Sequence, residues 1–218
     1  IRKFLEKFKQ NKKSFLGLYG AFAYDFARLF EDIPEKLEDS EKVDDFRLQL
    51  YDSFVFFDHL KEKAEIIAYR EDKESADQQI EKIFSMFEAE KKTAYKIDSP
   101  KFEMERAEFE GLVKNAQDLA KKGELFEVVY SNKLEANFSG DPFALYQDYR
   151  DQNPSPYLFY FNFGNEQLVG ASPEMMVRCE DGEVHTRPIS GTAKRGDDPI
   201  EDHENMLKLL MSEKERSE

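Results

Sequence analysis

Residues 157–187 read YLFYFNFGNEQLVGASPEMMVRCEDGEVHTR, and four strand-like runs follow one another within them: Tyr157 to Phe163, Gln167 to Ala171, Met175 to Cys179 and Glu183 to Arg187. Asp181-Gly182, between the last two, is a strong hairpin-turn signal, because both residue types accept the positive φ that a type I′ turn needs. Strands joined by turns this short pair with antiparallel neighbours.

Upstream, Leu16 to Tyr24 mixes small and aromatic residues and predicts a buried strand. Phe30 to Asp45 is acidic, holds Pro34 and predicts a surface loop. Phe46 to Phe57 and Lys63 to Tyr69 predict two strands joined around Asp58-His59. Ile80, Ile83, Phe84 and Phe87 recur at helical spacing, so Asp72 to Lys91 predicts an amphipathic helix. A polar linker through Ser99-Pro100 is expected next, then a helix from about Lys101 to Lys122, closed by Gly123. Leu125 to Ala136 predicts a strand and Pro142 to Tyr149 a short helix. Downstream, Asp198-Pro199-Ile200-Glu201 offers a cap, a proline at the first helical position and a glutamate at the third, so a closing helix starts there. Hairpins in series with helices grouped between them make the class α+β, with largely antiparallel sheet.

Composition narrows the function. Twenty Phe and ten Tyr, with no Trp, supply a core for 218 residues. The net charge of −14 argues against a nucleic-acid partner, since phosphate contact needs a basic face. No run approaches the roughly 20 apolar residues that span a bilayer, so no membrane partner is expected either. Cys179 is the sole cysteine and excludes a disulfide framework. A soluble cytoplasmic protein is expected. Lys3 to Lys13 reads as a helix already under way, and Glu218 stops inside a helical pattern without a cap. The expectation is a fragment of a longer protein, truncated at both ends.

Several residues could do chemistry. Arg187 to Gly196 gathers proline, two glycines, a threonine and three cations in an acidic chain, which suits a small anion such as a carboxylate. Glu174 follows Gly170-Ala171-Ser172-Pro173: it is either a solvated turn glutamate or a general acid held by the rigid turn, with Met175 and Met176 as an apolar flank that raises its pKa. Glu218 falls within roughly 20° of Leu207 and Met211 on a continuous helix. It is therefore either a boundary residue or an inward ligand for Mg²⁺. Glu127 interrupts an apolar strand and faces either water or a cleft. Asn153-Pro154-Ser155-Pro156-Tyr157-Leu158-Phe159 is a turn into a strand, stiff enough to hold a small ligand. His59, His185 and His203 share no metal-ligand spacing.

Asn153 to Tyr157, Gly170 to Glu174, Arg187 to Gly196 and Lys214 to Glu218 occur in the order and spacing of the chorismate-binding enzymes, and the chain resembles that family. It looks most similar to the anthranilate-forming branch, above all to versions with synthase and glutaminase fused. The resemblance implies two packed, largely antiparallel sheets with helices outside, incomplete in this chain, and a cleft between them. It implies one partial synthase domain over 1–218, with 1–100 the N-terminal portion, 101–218 the first part of the catalytic core, and no glutaminase domain. Carried over by position, Glu174 is the acid that protonates the leaving C4 hydroxyl of chorismate. Gly191 and Thr192 hold the substrate, Glu218 is a ligand of Mg²⁺, and Pro156, Tyr157 and Leu158 belong to a feedback pocket for tryptophan. Ser190 stands where aminodeoxychorismate synthases have a lysine nucleophile, and Glu127 where water-using members have a lysine base. Both branches are disfavoured, and Glu127 either orients ammonia or packs. Ammonia would come from glutamine through a glutaminase domain or subunit. Aminodeoxyisochorismate synthase and a non-catalytic tryptophan-binding module are the alternatives. The 218 residues alone are expected not to turn over chorismate.

Overall fold

Every strand finds one antiparallel partner, and among the described residues the strands form five two-stranded ladders. The structure is a computed structural model and describes residues 3, 15–34, 42–88, 93–125, 127–189 and 191–217. The chain divides into two units, Ile1–Lys92 and Thr93–Glu218.

In the first unit β1 (Leu18–Phe22) pairs with β2 (Phe46–Leu50), and β3 (Ser53–Asp58) with β4 (Lys63–Ala68). A 3₁₀ helix, Tyr24–Leu29, follows β1. Helix α1 (Lys73–Ser85) packs on β4 and starts at Asp72, whose carboxylate accepts from the Ser75 N–H at 2.8 Å. Aromatic rings supply the cohesion. Phe54 lies 6.0 Å from Phe15, 5.7 Å from Tyr19 and 6.1 Å from Tyr69 between ring centroids. These are separations at which tilted and edge-on pairs add to plain area burial. The Tyr19 hydroxyl donates to the Phe15 carbonyl at 2.6 Å, and burial raises its pKa.

The second unit carries the remaining ladders: β5 (Tyr95–Phe102) with β6 (Leu134–Gly140), β7 (Tyr157–Asn162) with β8 (Gln167–Ser172), and β9 (Met175–Glu180) with β10 (Glu183–Arg187). Its helices are α2 (Arg106–Lys121), α3 (Pro142–Gln152), α4 (Pro199–Met211) and α5 (Glu213–Ser217). Helix α3 packs on β5, β7 and β8; Phe143 meets Tyr160 edge-on at 5.4 Å, and the Tyr95 hydroxyl bonds Asp148 at 2.9 Å. Met175, at the start of β9, is among the few buried side chains. Met175→Ala is expected to destabilise the full-length protein by roughly 2 kcal/mol or more through the cavity it leaves, a loss that urea unfolding reads directly.

The α+β class and the antiparallel pairing match the sequence, and the expected hairpin turn forms with Asp181 and Gly182 at φ 50° and 87°. Five local expectations are corrected. Leu16 to Tyr24 is a strand only over Leu18–Phe22, and Phe46 to Phe57 is two strands with different partners. The supposed linker around Ser99-Pro100 lies within β5, where the register shifts between Asp98 and Lys101 and Ser99 takes φ 54°. The helix after it therefore begins at Arg106. Among the described residues, the strand expected over Leu125 to Ala136 begins only at Leu134, where pairing with Phe102 starts. Before that point the Asn132 side chain both accepts from and donates to the backbone of Met104, at 3.0 Å each, a substitute for ladder bonds. The expected helix over Lys3 to Lys13 lies, apart from Lys3, outside the described residues.

Candidate active site

The β8–β9 connection is Pro173-Glu174, and its geometry sets one carboxyl. The Ser172 hydroxyl lies 3.3 Å from the Glu174 N–H and 3.4 Å from its carbonyl, a local turn that competes with strand continuation. Proline contributes a fixed φ and no donor. The Glu174 Oε1 then accepts from the Ile189 N–H at 3.3 Å, across from the end of β10. Met175 turns inward and Met176 is 87% exposed, so the two methionines do not enclose the exposed Glu174 carboxyl as an apolar flank would.

Two residues beyond Ile189, the loop meets a second carboxylate. A Cβ on Gly191 would fall 2.1 Å from the Glu215 Oε2, so any larger residue there would push that flexible side chain's carboxylate aside. Glu215 lies on α5 with 17% of its side chain exposed and Lys214 Nζ at 3.5 Å. Glu174 thus meets the loop at Ile189 and Glu215 meets it at Gly191, two approaches from separate segments. Thr192 is exposed next to Gly191.

The far half of the loop is tied to α4. Asp198 caps the helix, accepting from the N–H groups of Ile200 at 2.8 Å and Glu201 at 3.0 Å. Asp202 accepts from Arg195 Nε and a terminal guanidinium nitrogen, both at 2.7 Å, and from the Gly196 N–H at 2.9 Å. The Glu201 carboxylate accepts from the Asp197 N–H at 2.7 Å, and Asn205 donates to the Lys194 carbonyl at 3.2 Å. Backbone donors hold the Asp198 carboxyl below its ordinary pKa, and the Arg195 guanidinium, followed by the Gly196 N–H, does so for Asp202. Both groups bind protons less readily folded than unfolded. Their support is therefore present above the ordinary carboxylate range and lost as pH falls through their lowered values. Protection of the Gly196 and Ile200 amides against exchange, followed by NMR, is expected to fall only below that range.

Two expected site residues, Ser190 and Glu218, lie outside the described residues. The helical phase invoked for Glu218 does not carry through: α4 ends at Met211, and Ser212 takes an extended conformation with ψ 121° before α5 begins. Ser212-x-x-Glu215 has capping-box spacing, a local signal for that break. Glu127 is exposed in an irregular stretch, and among the described residues it makes no hydrogen bond or ion pair with the Glu174 group. Pro156 precedes β7; Tyr157 and Leu158 open it opposite Ser172 and Ala171. The feedback-pocket candidates thus lie in register with the residues that lead into Glu174. Sequence reading missed Glu215 and Asp202. Glu215 stands three residues before Glu218, a spacing that shares a helical face. Asp202 carries no local mark, because its partner is seven residues away across a loop.

The oxygen donors fit a hard cation. Mg²⁺ takes one or two protein carboxylates and completes its shell with water and ligand oxygens. Glu215, brought against the loop, offers one carboxylate. Among the described residues no group of three or more His, Cys, Asp or Glu could hold a metal by itself.

A sequence profile of the family described as chorismate binding enzyme matches residues 1–218. The chain is 33% identical over 233 residues to "Anthranilate synthase component 1" of Aquifex aeolicus, covering 100% of this chain and 47% of that protein. It is 34% identical over 212 residues to the protein of the same name from Lactococcus lactis, covering 93% and 46%. It is 47% identical over 110 residues to that of Cereibacter sphaeroides, covering 50% and 22%. The crystal structure of anthranilate synthase component I from Streptococcus pneumoniae superposes with a TM-score of 0.81 at 28% identity, covering 99% of this chain and 51% of that one. The chain spans about half the length of these relatives or less.

Proposed function

The chain belongs to the chorismate-binding enzyme family, and from that membership we propose that its full-length protein is the synthase component of an anthranilate synthase. Chorismate and ammonia give anthranilate, pyruvate and water, with the ammonia released from glutamine by a glutaminase domain or subunit. The observation that carries this reading is the contact between the Glu174 carboxyl and the backbone of the Arg187–Gly196 loop at Ile189. Glu174 donates its proton to the C4 hydroxyl as that group leaves, a general-acid step. One carboxyl oxygen is steadied by the Ile189 N–H, which leaves the other for the substrate. Gly191 and Thr192 contact chorismate. Glu215 and Glu218 would hold Mg²⁺, which when bound neutralises the ring carboxylate and fixes the ring. Glu127 either orients ammonia or packs. Pro156, Tyr157 and Leu158 contribute to a tryptophan pocket, consistent with feedback by the end product of the pathway. No helix among the described residues is long and apolar enough to cross a membrane, and a reaction of small charged metabolites suits the cytoplasm.

The test gives the full-length protein chorismate, Mg²⁺ and ammonium. Anthranilate fluorescence is expected, and a chelator should abolish it. An accumulating non-aromatic amino acid would instead make the protein an aminodeoxyisochorismate synthase, and tryptophan binding without turnover would make it a regulatory module. Gly191→Ala is expected to raise the KM for chorismate on the order of tenfold, because the added methyl pushes the Glu215 carboxylate away from the loop and small misplacements at a reacting centre are costly. Steady-state kinetics over a range of Mg²⁺ concentrations checks this.

A further inference from the structure

We infer that Asp202 is a positioning residue: its carboxylate, fixed on α4, clamps the loop that presents Gly191 and Thr192, with Arg195 as its counter-ion. The inference rests on the chorismate reading for what the loop binds, though the clamp itself does not. Three bonds converge on this one carboxylate: two from the Arg195 guanidinium at 2.7 Å and one from the Gly196 N–H at 2.9 Å. An isolated exposed ion pair contributes little, and Arg195 is 88% exposed. Here, however, the pair is bidentate, the Asp202 side chain is 30% exposed, and a backbone donor shares it. Two further side chains of α4 grip the loop in parallel, Glu201 at the Asp197 N–H and Asn205 at the Lys194 carbonyl. The approach is close enough that a Cβ on Gly196 would lie 2.1 Å from the Asp202 backbone nitrogen.

The consequence for the site is geometric. Only Ala193 separates Thr192 from Lys194, the first of the gripped residues, so the position of α4 sets the height of the substrate contacts. The consequence for charge is as direct. Arg195, one of the cations that made the loop look like an anion site, already has its carboxylate and is a structural member. The anion must therefore be met by backbone N–H groups, the Thr192 hydroxyl, Arg187 or Lys194, the last of these shared with Asp197 at 3.9 Å.

The experiment compares Asp202→Ala, Asp202→Asn and Arg195→Ala in the full-length protein by two readouts. Amide exchange of residues 191–197 is expected to speed up on the order of tenfold or more in Asp202→Ala, because local opening no longer breaks three bonds. The KM for chorismate is expected to rise by about 10- to 100-fold with kcat changed much less. Asp202→Asn, which keeps an acceptor for the Gly196 N–H, should fall between it and the wild type, and should serve if the alanine variant fails to fold. Arg195→Ala combined with Asp202→Ala should be no worse than Asp202→Ala alone, as for a coupled pair. Exchange and KM both within about twofold of wild type in Asp202→Ala would overturn the clamp, on the same scale of effects. Faster exchange with unchanged KM would overturn its role in positioning. A wild-type protein that does not consume chorismate would instead sink the functional reading, and the exchange measurement still decides whether the clamp exists.

Discussion

Glu174→Gln in the full-length protein is expected to lower anthranilate formation by about 10²- to 10⁴-fold, the range over which a positioned general acid contributes. Glutamine keeps the length of the side chain and an oxygen that can accept from the Ile189 N–H, so the β8–β9 turn and the loop contact at 3.3 Å should survive. What it loses is the proton for the C4 hydroxyl. The expected pattern is therefore a collapse in kcat with chorismate affinity and melting temperature little changed. Retained turnover would remove Glu174 from the acid role. A collapse accompanied by a loss of folded protein would point to the turn, since Ser172 holds the backbone of the same residue. Ser172→Ala separates the two cases: it should loosen the turn while leaving the carboxyl chemically intact.

The second large effect concerns residues 1–218 on their own. Among the described residues only Ala116, Ala144 and Met175 are buried, while large apolar side chains such as Tyr24, Leu60 and Met176 stand more than four-fifths exposed. Five two-stranded ladders also leave edges that further strands would ordinarily cover. These residues expressed alone are expected to bind a hydrophobic dye strongly, to melt without a cooperative transition and to show no chorismate turnover. The full-length protein should do none of these. A sharp calorimetric transition with little dye binding for 1–218 would contradict this description of where its core lies.

Much of the fold is legible in the sequence where the signal is local. Asp181-Gly182 specifies its hairpin by the φ values that those residues tolerate, and Asp198-Pro199 specifies the start of α4 by a cap and a fixed dihedral. Pro142 and Gly123 mark helix ends for the same kind of reason. The failures are non-local. Leu125 to Ala136 has strand composition throughout, but a strand exists only where a partner pairs with it, and β5 reaches only as far as Leu134. Ser99-Pro100 reads as a linker because its irregularity is a register shift inside a ladder, which no window of sequence distinguishes from a loop. The helical phase toward Glu218 failed at Ser212, although its capping-box spacing was there to read.

The same division holds at the site. The order and spacing of the motifs brought Glu174, Gly191 and Thr192 forward, and the structure joins the first to their loop through Ile189. Glu215 and Asp202 stayed hidden because their significance lies in what they touch. A glutamate beside a lysine on a short helix, or an aspartate in the first turn of a capped one, is an ordinary surface residue by composition. Gly191 and Gly196 record both contacts from the other side, since each glycine marks the place where a side chain or backbone of the terminal helices comes too close for a Cβ.

The most direct test of the whole proposal is a crystal structure of the full-length Glu174→Gln protein with chorismate and Mg²⁺. The expected result places the C4 oxygen within hydrogen-bond reach of residue 174, about 2.6–3.2 Å. Gly191 and Thr192 should touch the substrate, and Glu215 and Glu218 should face the metal. Chorismate bound away from the Arg187–Gly196 loop, or with its C4 oxygen turned from residue 174, would contradict it.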